Sequence, residues 1–349
     1  MNPYDFVRLD WSRPPERRPF TPQDRFIGLT GHIEGRIIAE TPIFLPNKRN
    51  PRQFQTNLAN TPIVSGSSLK GLFRCLVETL APGCWWLFDA QYEWNRDTRT
   101  HDVDYSDRLP RAFAQCQDAG ALCPSCRMFG LVQGRQVSLA GRVGFDDAVC
   151  THAVKHASVF TPILDGPKPR HAAWYLDPAG RTVAGRKFYF HQGSIRTERE
   201  LRRARSGKEL NQQITPLDAG SVFQFAAHFT NLEPDELPLL LYVLTLEPTM
   251  RHKIGYAKPA GLGSVRVELS RLTLCDMAAR YTGAPAQTYE ADSLNQFIAS
   301  RTDPFVSSRS SITLTDLRRI WGWPPNGSFQ YPGQDWFSKN PKAPIGESP

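Results

Sequence analysis

Three cysteines, Cys116, Cys123 and Cys126, stand in a C-x6-C-x2-C pattern inside a short segment that also holds Gly120 and Pro124. Thiolates two residues apart across a tight turn can share one tetrahedral Zn²⁺, because Zn–S bonds of about 2.3 Å demand so close a return of the chain. A closed structural site needs a fourth ligand, and Cys84 and His101, in the same irregular stretch, each offer one. The competing reading is a set of small buried thiols with no metal, which a third cysteine in one loop weakens. A redox role is weaker still, since no strand leads directly into the Cys123-Pro124-Ser125-Cys126 turn. Cys75, Cys150 and Cys275 read as packing residues.

Four cationic segments could hold a polyanion. Gly66-Ser67-Ser68-Leu69-Lys70-Gly71 opens a helix whose first backbone N–H groups, the Ser67 and Ser68 hydroxyls and Lys70 together suit a phosphate. Its spacing is not that of a P-loop. The loop Asn47 to Asn60 carries Lys48, Arg49 and Arg52 and no carboxylate. In Arg251 to Gly263, Lys253 and Lys258 supply charge, Tyr256 a stacking surface, and three glycines allow close backbone approach. Residues 152–215 interleave cations with aromatics: Lys168, Arg170 and His171 precede Trp174 and Tyr175, and Arg186 and Lys187 precede Phe188, Tyr189 and Phe190. Cations alone usually mean a solvated face; interleaved aromatics are what stacking on unpaired bases requires.

The whole chain agrees with an anionic partner. Its 349 residues carry 42 Lys and Arg against 34 Asp and Glu, a formal charge of +8 and a pI near 9.2. With 40% hydrophobic residues it is neither disordered nor collagen-like. The longest apolar run, Leu237 to Leu246, is about half the roughly 20 residues of a membrane span. The first ten residues lack the apolar core of a signal peptide, so a cytoplasmic protein without membrane contact is expected. There an odd number of cysteines is no disulfide framework.

Periodicity supplies the elements that must position these groups. Residues 1–30 read as an irregular arm. Gly31 to Glu40 reads as a strand in broken alternation. A helix follows with Leu69, Leu72, Phe73, Leu76, Val77 and Leu80 on one face and Ser67 or Ser68 as N-cap. Gly141 to Ala148 is a strand, and Asp177-Pro178-Ala179-Gly180 is the turn of a hairpin in the basic middle. Ser221 to Thr230 is a strand, Pro234 to Leu246 a helix and Ser264 to Leu269 a strand. The order strand, helix, strand, strand, helix, strand is that of an α+β, ferredoxin-like βαββαβ core spanning 31–270, with insertions at 83–130 and 152–215. Residues 271–349 form a tail whose Trp321, Trp323, Trp336 and Phe337 anchor a wrap onto the core.

Several of these phrases resemble a known family. Ile63-Val64-Ser65-Gly66-Ser67-Ser68-Leu69-Lys70-Gly71 is similar to the "IPGSSLKG" signature of the RAMP superfamily, the repeat-associated proteins of CRISPR effector complexes. Cys123-Pro124-Ser125-Cys126-Arg127-Met128-Phe129-Gly130, followed by Gly141-Arg142-Val143-Gly144-Phe145-Asp146-Asp147-Ala148, resembles the "CPxCRLFG … GRVxFxDA" run of type III backbone subunits. Lys253 to Val265 resembles the superfamily's C-terminal glycine-rich loop, and Asn2 to Val7 with the aromatic tail resembles a branch found beside III-D-like loci. The resemblance implies an RNA-recognition-type fold that binds CRISPR RNA and target RNA beside other RAMP subunits. It also implies a zinc finger at 83–130 and, at 152–215, a β-hairpin thumb that presses into the guide–target duplex. The target-cleaving relatives carry an Asp in the loop corresponding to Asn47 to Asn60, where this chain has none, so a non-catalytic subunit is expected. Asp146 and Asp147 belong to a strand signature, and Asp165 is a distant substitute. The alternatives are an endoribonuclease using His32, His156, His171 or His191 as general base, and a zinc-stabilised assembly subunit with little RNA contact.

Overall fold

The computed structural model describes residues 1–349 except 23, 134–136, 165, 167, 278, 284, 308–310, 348 and 349. In chain order its principal elements are β1 (Tyr4–Val7), β2 (Leu29–Ala39), α1 (Gly66–Leu80), α2 (Pro124–Phe129), β3 (Val143–Phe145), β4 (Ala148–His152), β5 (Arg186–Tyr189), β6 (Val222–Leu232), α3 (Glu236–Thr245), β7 (Ser264–Cys275), α4 (Ala291–Ser307), α5 (Ser311–Trp321) and α6 (Gln334–Lys339).

Alternation along β6 turns Phe223, Phe225, Ala227 and Phe229 to one face, and β2 answers with Ile33, Ile37 and Ala39. The break in the β2 pattern has a steric cause. Gly35 lies opposite Phe225, and a Cβ there would sit 2.8 Å from the phenyl ring. The sheet runs β7-β2-β6-β4, antiparallel throughout, with β3 pairing the far part of β6. Helices α1 and α3 connect its halves and pack against each other. Leu69, Phe73 and Leu76 of α1 and Leu240, Leu241 and Leu244 of α3 fill the core against the inward face. Each such side chain contributes roughly 1.5–3 kcal/mol on burial. The opposite face carries the ion pairs Arg36–Glu268 at 2.6 Å, Arg266–Glu40 at 3.0 Å and Arg271–Glu34 at 3.5 Å. No described helix is long and apolar enough to cross a membrane.

The structure redraws several expected elements. The N-cap of α1 is Ser65, whose Oγ accepts from the Ser68 amide at 3.4 Å, so Ser67 and Ser68 lie inside the helix. The 141–148 strand is two short strands separated by Asp146 and Asp147, and β7 continues six residues past Leu269 to pair with β2 along its length. The Asp177 turn exists: its carboxylate accepts from the amides of Arg181 at 2.6 Å and Thr182 at 2.7 Å. Beyond a single Leu176–Val183 bridge, however, the returning β5 pairs with β1 of the N-terminal arm rather than with the segment before the turn. That arm is therefore partly strand. The cysteine-rich segment holds its own hairpin, Gln91–Asn95 with Thr100–Asp104. The tail is largely helical: Phe305 of α4 meets Tyr242 of α3 at 5.6 Å, and α5 buries Leu317, Ile320 and Trp321 while Asp316 holds Arg8 at 2.7 Å.

Beneath the sheet edge three charged side chains are buried together. The Glu236 carboxylate, at the start of α3, accepts from Arg142 at 2.6 and 2.7 Å and from Arg127 at 3.0 Å. Arg142 also donates to the Asn231 carbonyl at 2.5 Å and the Arg127 carbonyl at 3.0 Å. Burial pushes the Glu236 carboxyl up while the Arg142 guanidinium pulls it down. Glu236→Ala leaves two buried guanidiniums without their counter-ion and is expected to lower stability by about 3–5 kcal/mol. Chemical denaturation will read this as a fall in midpoint with little change in slope, and an unchanged midpoint would refute the role.

Candidate metal centre and nucleic-acid cleft

Cys123 is the residue before α2, with Pro124 at the first helical position, so the helix start brings Cys126 back beside it. Arg18 pairs with Leu122 in a bridge that lays the N-terminal arm over the turn. The result is a buried cluster of Cys84, Cys116, Cys123 and Cys126 whose Sγ atoms all lie within 4.8 Å of one another, with Cys84 and Cys126 at 3.6 Å. A ZnS4 tetrahedron with bonds of about 2.3 Å has edges of about 3.8 Å, so four buried sulfurs at these separations can hold a metal ion and fit Zn²⁺. The fourth thiol of the cluster is that of Cys84. His101 sits on the hairpin with its ring 5.0 Å from that of Trp94.

The sulfurs are already surrounded by donors. Arg17 Nη1 donates to Cys116 Sγ at 2.9 Å and Arg74 Nη2 to Cys126 Sγ at 3.5 Å, while the amides of Cys123 and Cys84 point at Cys116 and Cys123 at 3.2 and 3.4 Å. Such outer contacts orient thiolate ligands and offset their charge. Hydrogen bonds from the three neighbouring thiols hold the Cys123 sulfur well below the usual thiol range. Hydrogen bonds with Cys116 and Cys123 push Cys84 and Cys126 up, and four thiolates packed this closely would repel one another without a cation between them.

A cleft of about 570 Å³ opens beyond α1 and β5. Parts of all four cationic segments read from the sequence converge on it. The chain after β2 brings Lys48, the first turn of α1 brings Ser67 and Ser68, and the glycine-rich turn brings Lys253, Tyr256 and Lys258. From the basic middle, β5 adds Lys187. The turn is shaped by Gly255, whose φ of +91° and approach to the Phe44 carbonyl, 2.6 Å from where a Cβ would sit, leave room for no side chain. Tyr256 N then donates to that carbonyl at 2.8 Å, which fixes the turn onto the chain following β2.

No carboxylate lines this cleft among the described residues. Its lysines face each other instead. Desolvation and then Lys258 lower Lys187 to about 8 and Lys253 to about 7; desolvation lowers Lys258 itself, against a small opposing pull from Cys75. Lys253 Nζ lies under the floor, donating to Ser264 Oγ at 3.0 Å and the Gly261 carbonyl at 3.3 Å, while Lys258 Nζ donates to the Gly255 carbonyl at 2.8 Å. Desolvated ammonium groups without counter-charge are a site prepared for an anion.

Other predicted contacts lie elsewhere. Arg49 and Arg52 are exposed on the loop before α1, and Arg52 pairs with Glu209 at 2.7 Å. Lys70 points away to the neighbourhood of Gly141. Arg186 faces the metal segment, bonded to Glu78 at 3.0 Å and to the Cys84 carbonyl at 3.0 Å. Arg170 binds Glu93 at 2.5 Å and Asp102 at 3.1 Å. His171 is buried against the tail, 5.3 Å from Phe337 with Nε2 2.8 Å from the Ala343 carbonyl, and Lys168 Nζ lies 5.9 Å over the Phe337 ring. The helix start is less open to phosphate than its sequence suggests, because Asp147 accepts from the Gly66 amide at 2.8 Å.

The candidate bases do not share a site. His191 is buried with both ring nitrogens engaged, by Ser264 Oγ at 2.8 Å and the Arg251 carbonyl at 3.0 Å, and burial holds its pKa well below the ordinary value. His32 faces Glu34 on the open sheet face at 3.8 Å, and exposed His156 Nδ1 lies 2.7 Å from the Ala157 carbonyl. Asp165 lies outside the described residues. Tyr189, read from the sequence as one aromatic of the basic middle, and Trp321, read as an anchor of the tail, also wall the cleft. The period-two spacing of Lys187 and Tyr189 on a strand carried the first of these; nothing local places Trp321 there, since it arrives from the tail.

A family model described as the RAMP superfamily matches residues 36–266. No curated protein matches the chain. Among solved structures, one described as the Csm3-Csm4 subcomplex in the type III-A CRISPR-Cas interference complex is similar at 14% identity and a TM-score of 0.37, covering 79% of this chain and 98% of that one.

One zinc per chain is expected from elemental analysis of the purified protein. Cys84→Ser should lose the metal and His101→Ala should keep it; retention by the first variant and loss by the second would reverse the ligand assignment.

Proposed function

This chain belongs to the RAMP superfamily, and on that premise we propose that it is an RNA-binding backbone subunit of a type III CRISPR effector complex, holding guide RNA and guide–target duplex beside other RAMP subunits without cutting the target itself. We read β7-β2-β6-β4 with α1 and α3 as the ferredoxin-like core within 31–270. In this reading 1–30 is an arm, 83–130 a zinc-binding insertion, 152–215 the thumb and 271–349 a tail that braces both. The observation that carries the proposal is the cleft: Lys48, Lys187, Lys253 and Lys258 converge from three separate segments with no carboxylate among its described walls. Phosphates neutralise such a site whatever the base sequence, which suits a subunit that must hold any guide. Among the described residues the same walls contain no histidine, which supports the non-catalytic reading.

Binding of a guide-length RNA, read by fluorescence anisotropy, should weaken with salt, and the log–log slope should shrink by about 0.7 for each of Lys187→Ala and Lys258→Ala. Phosphate favours the ammonium form, so it raises lysine pKa values that start at about 7 and about 8. Binding therefore takes up protons, and affinity falls as pH rises from 7 to 9. A pH-independent affinity with unaltered salt slopes in both variants would refute the cleft. Mg²⁺-dependent cutting of a matched target by this subunit would refute the non-catalytic assignment.

A further inference from the structure

Beside the cleft, sharing Lys187 and Tyr189 with it, lies a second recess of about 270 Å³ walled by aromatic rings. Its walls come from parts of the chain far apart in sequence. β1 supplies Tyr4, β5 supplies Tyr189, the turn after His171 supplies Trp174, and the chain before α6 supplies Tyr331. Around Tyr4 the rings of Tyr189, Trp174 and Tyr331 stand at 5.9, 6.1 and 6.2 Å, tilted by 61–83° to it, so none of the three stacks flat on Tyr4. Lys187 Nζ is 3.7 Å from the Tyr4 centroid and 4.9 Å from that of Tyr189, which places one cation on the wall common to recess and cleft. Trp174 is buried, and its indole N–H has no hydrogen-bond partner among the described residues.

We propose that this recess receives one unpaired base of an RNA strand whose phosphates lie in the cleft, an inference that rests on the RNA-binding reading above. The chemistry matches the phosphate, the face and the edge of a nucleotide's base. Lys187 sits where the linking phosphate passes from cleft to recess. Tyrosine and tryptophan rings offer π-surfaces to any base. The indole N–H of Trp174, a residue of the same wall, is unmet among the described residues and would donate to a base carbonyl or ring nitrogen that reached it. A strand laid along the lysines passes Lys187 at the wall the recess shares with the cleft, where one base can turn into it.

The test uses the full-length protein and a set of RNAs of one sequence, each carrying 2-aminopurine at a different position. One position should show a several-fold loss of fluorescence on binding while its neighbours change little. Tyr331→Ala should abolish that loss and weaken binding about fivefold or more, with the salt slope unchanged because no phosphate contact is removed. Trp174→Phe, which keeps a ring and loses the N–H, should leave the fold intact by thermal melting and alter the affinity rank of different bases at that one position. RNA that binds with all positions alike overturns the recess and leaves the cleft standing. RNA that does not bind under any salt or pH condition removes the cleft, and the recess with it.

Discussion

The buried Arg127–Glu236–Arg142 triad is the constraint on which the arrangement of segments depends. Two guanidiniums and one carboxylate have left water, and only complete hydrogen bonding makes that tolerable. Completing it requires the Asn231 carbonyl at the end of β6, the Arg127 carbonyl of α2 and the first turn of α3 to meet at one point. Such a network is a poor source of net stability beside a well-packed apolar cluster, yet it admits a single docking of the pieces that carry it. Arg127 is one residue past Cys126, and Arg142 stands next to β3. The cysteine segment is thereby held in register with the sheet.

A second knot extends this order toward the cleft. Glu78, near the end of α1, receives Arg74 at 2.9 Å, Arg186 at 3.0 Å and Ser125 Oγ at 3.2 Å. Arg74 also reaches Cys126 Sγ, and Arg186 also reaches the Cys84 carbonyl. One carboxylate therefore ties α1, β5 and two of the four cysteines together. On β5 successive side chains point to opposite sides, so Arg186, anchored on the metal segment, leaves Lys187 to face the cleft. The cysteine cluster is remote from the cleft lysines in sequence and adjacent to them in mechanical terms.

What the sequence made legible follows from range. Helix and strand periodicity located β2, α1, β6 and α3 because the apolar pattern of each is set by one core. The C-x6-C-x2-C spacing located three thiols because metal geometry is local. Cys84 against His101 could not be decided, since both lie in the same irregular stretch and only the hairpin that carries His101 away separates them. Arg170, His171 and Arg186 read as one continuous basic surface, but Glu93, the tail and Glu78 claim them through contacts across 77, 172 and 108 residues. The pairing of β5 with β1 was invisible for the same reason: short strands with few residues carry little pattern, and their partners are chosen by the tertiary fold.

The division of labour between the two basic residue types is the last consequence. Between described residues the ion pairs run from arginine to carboxylate, His32–Glu34 apart, and they build the triad, the Glu78 knot, the open sheet face and the clasp of the arm by α5. Arginine suits this work because its planar fork fixes the angle as well as the distance of a partner. The cleft was left to lysine, a compact charge on a flexible stem that can follow a phosphate without demanding one orientation. A formal charge of +8 is thus divided by chemistry: many of the arginines are paired with carboxylates, and the charge a ligand meets in the cleft is carried by a few lysines, desolvated and with no carboxylate among the described residues that line it.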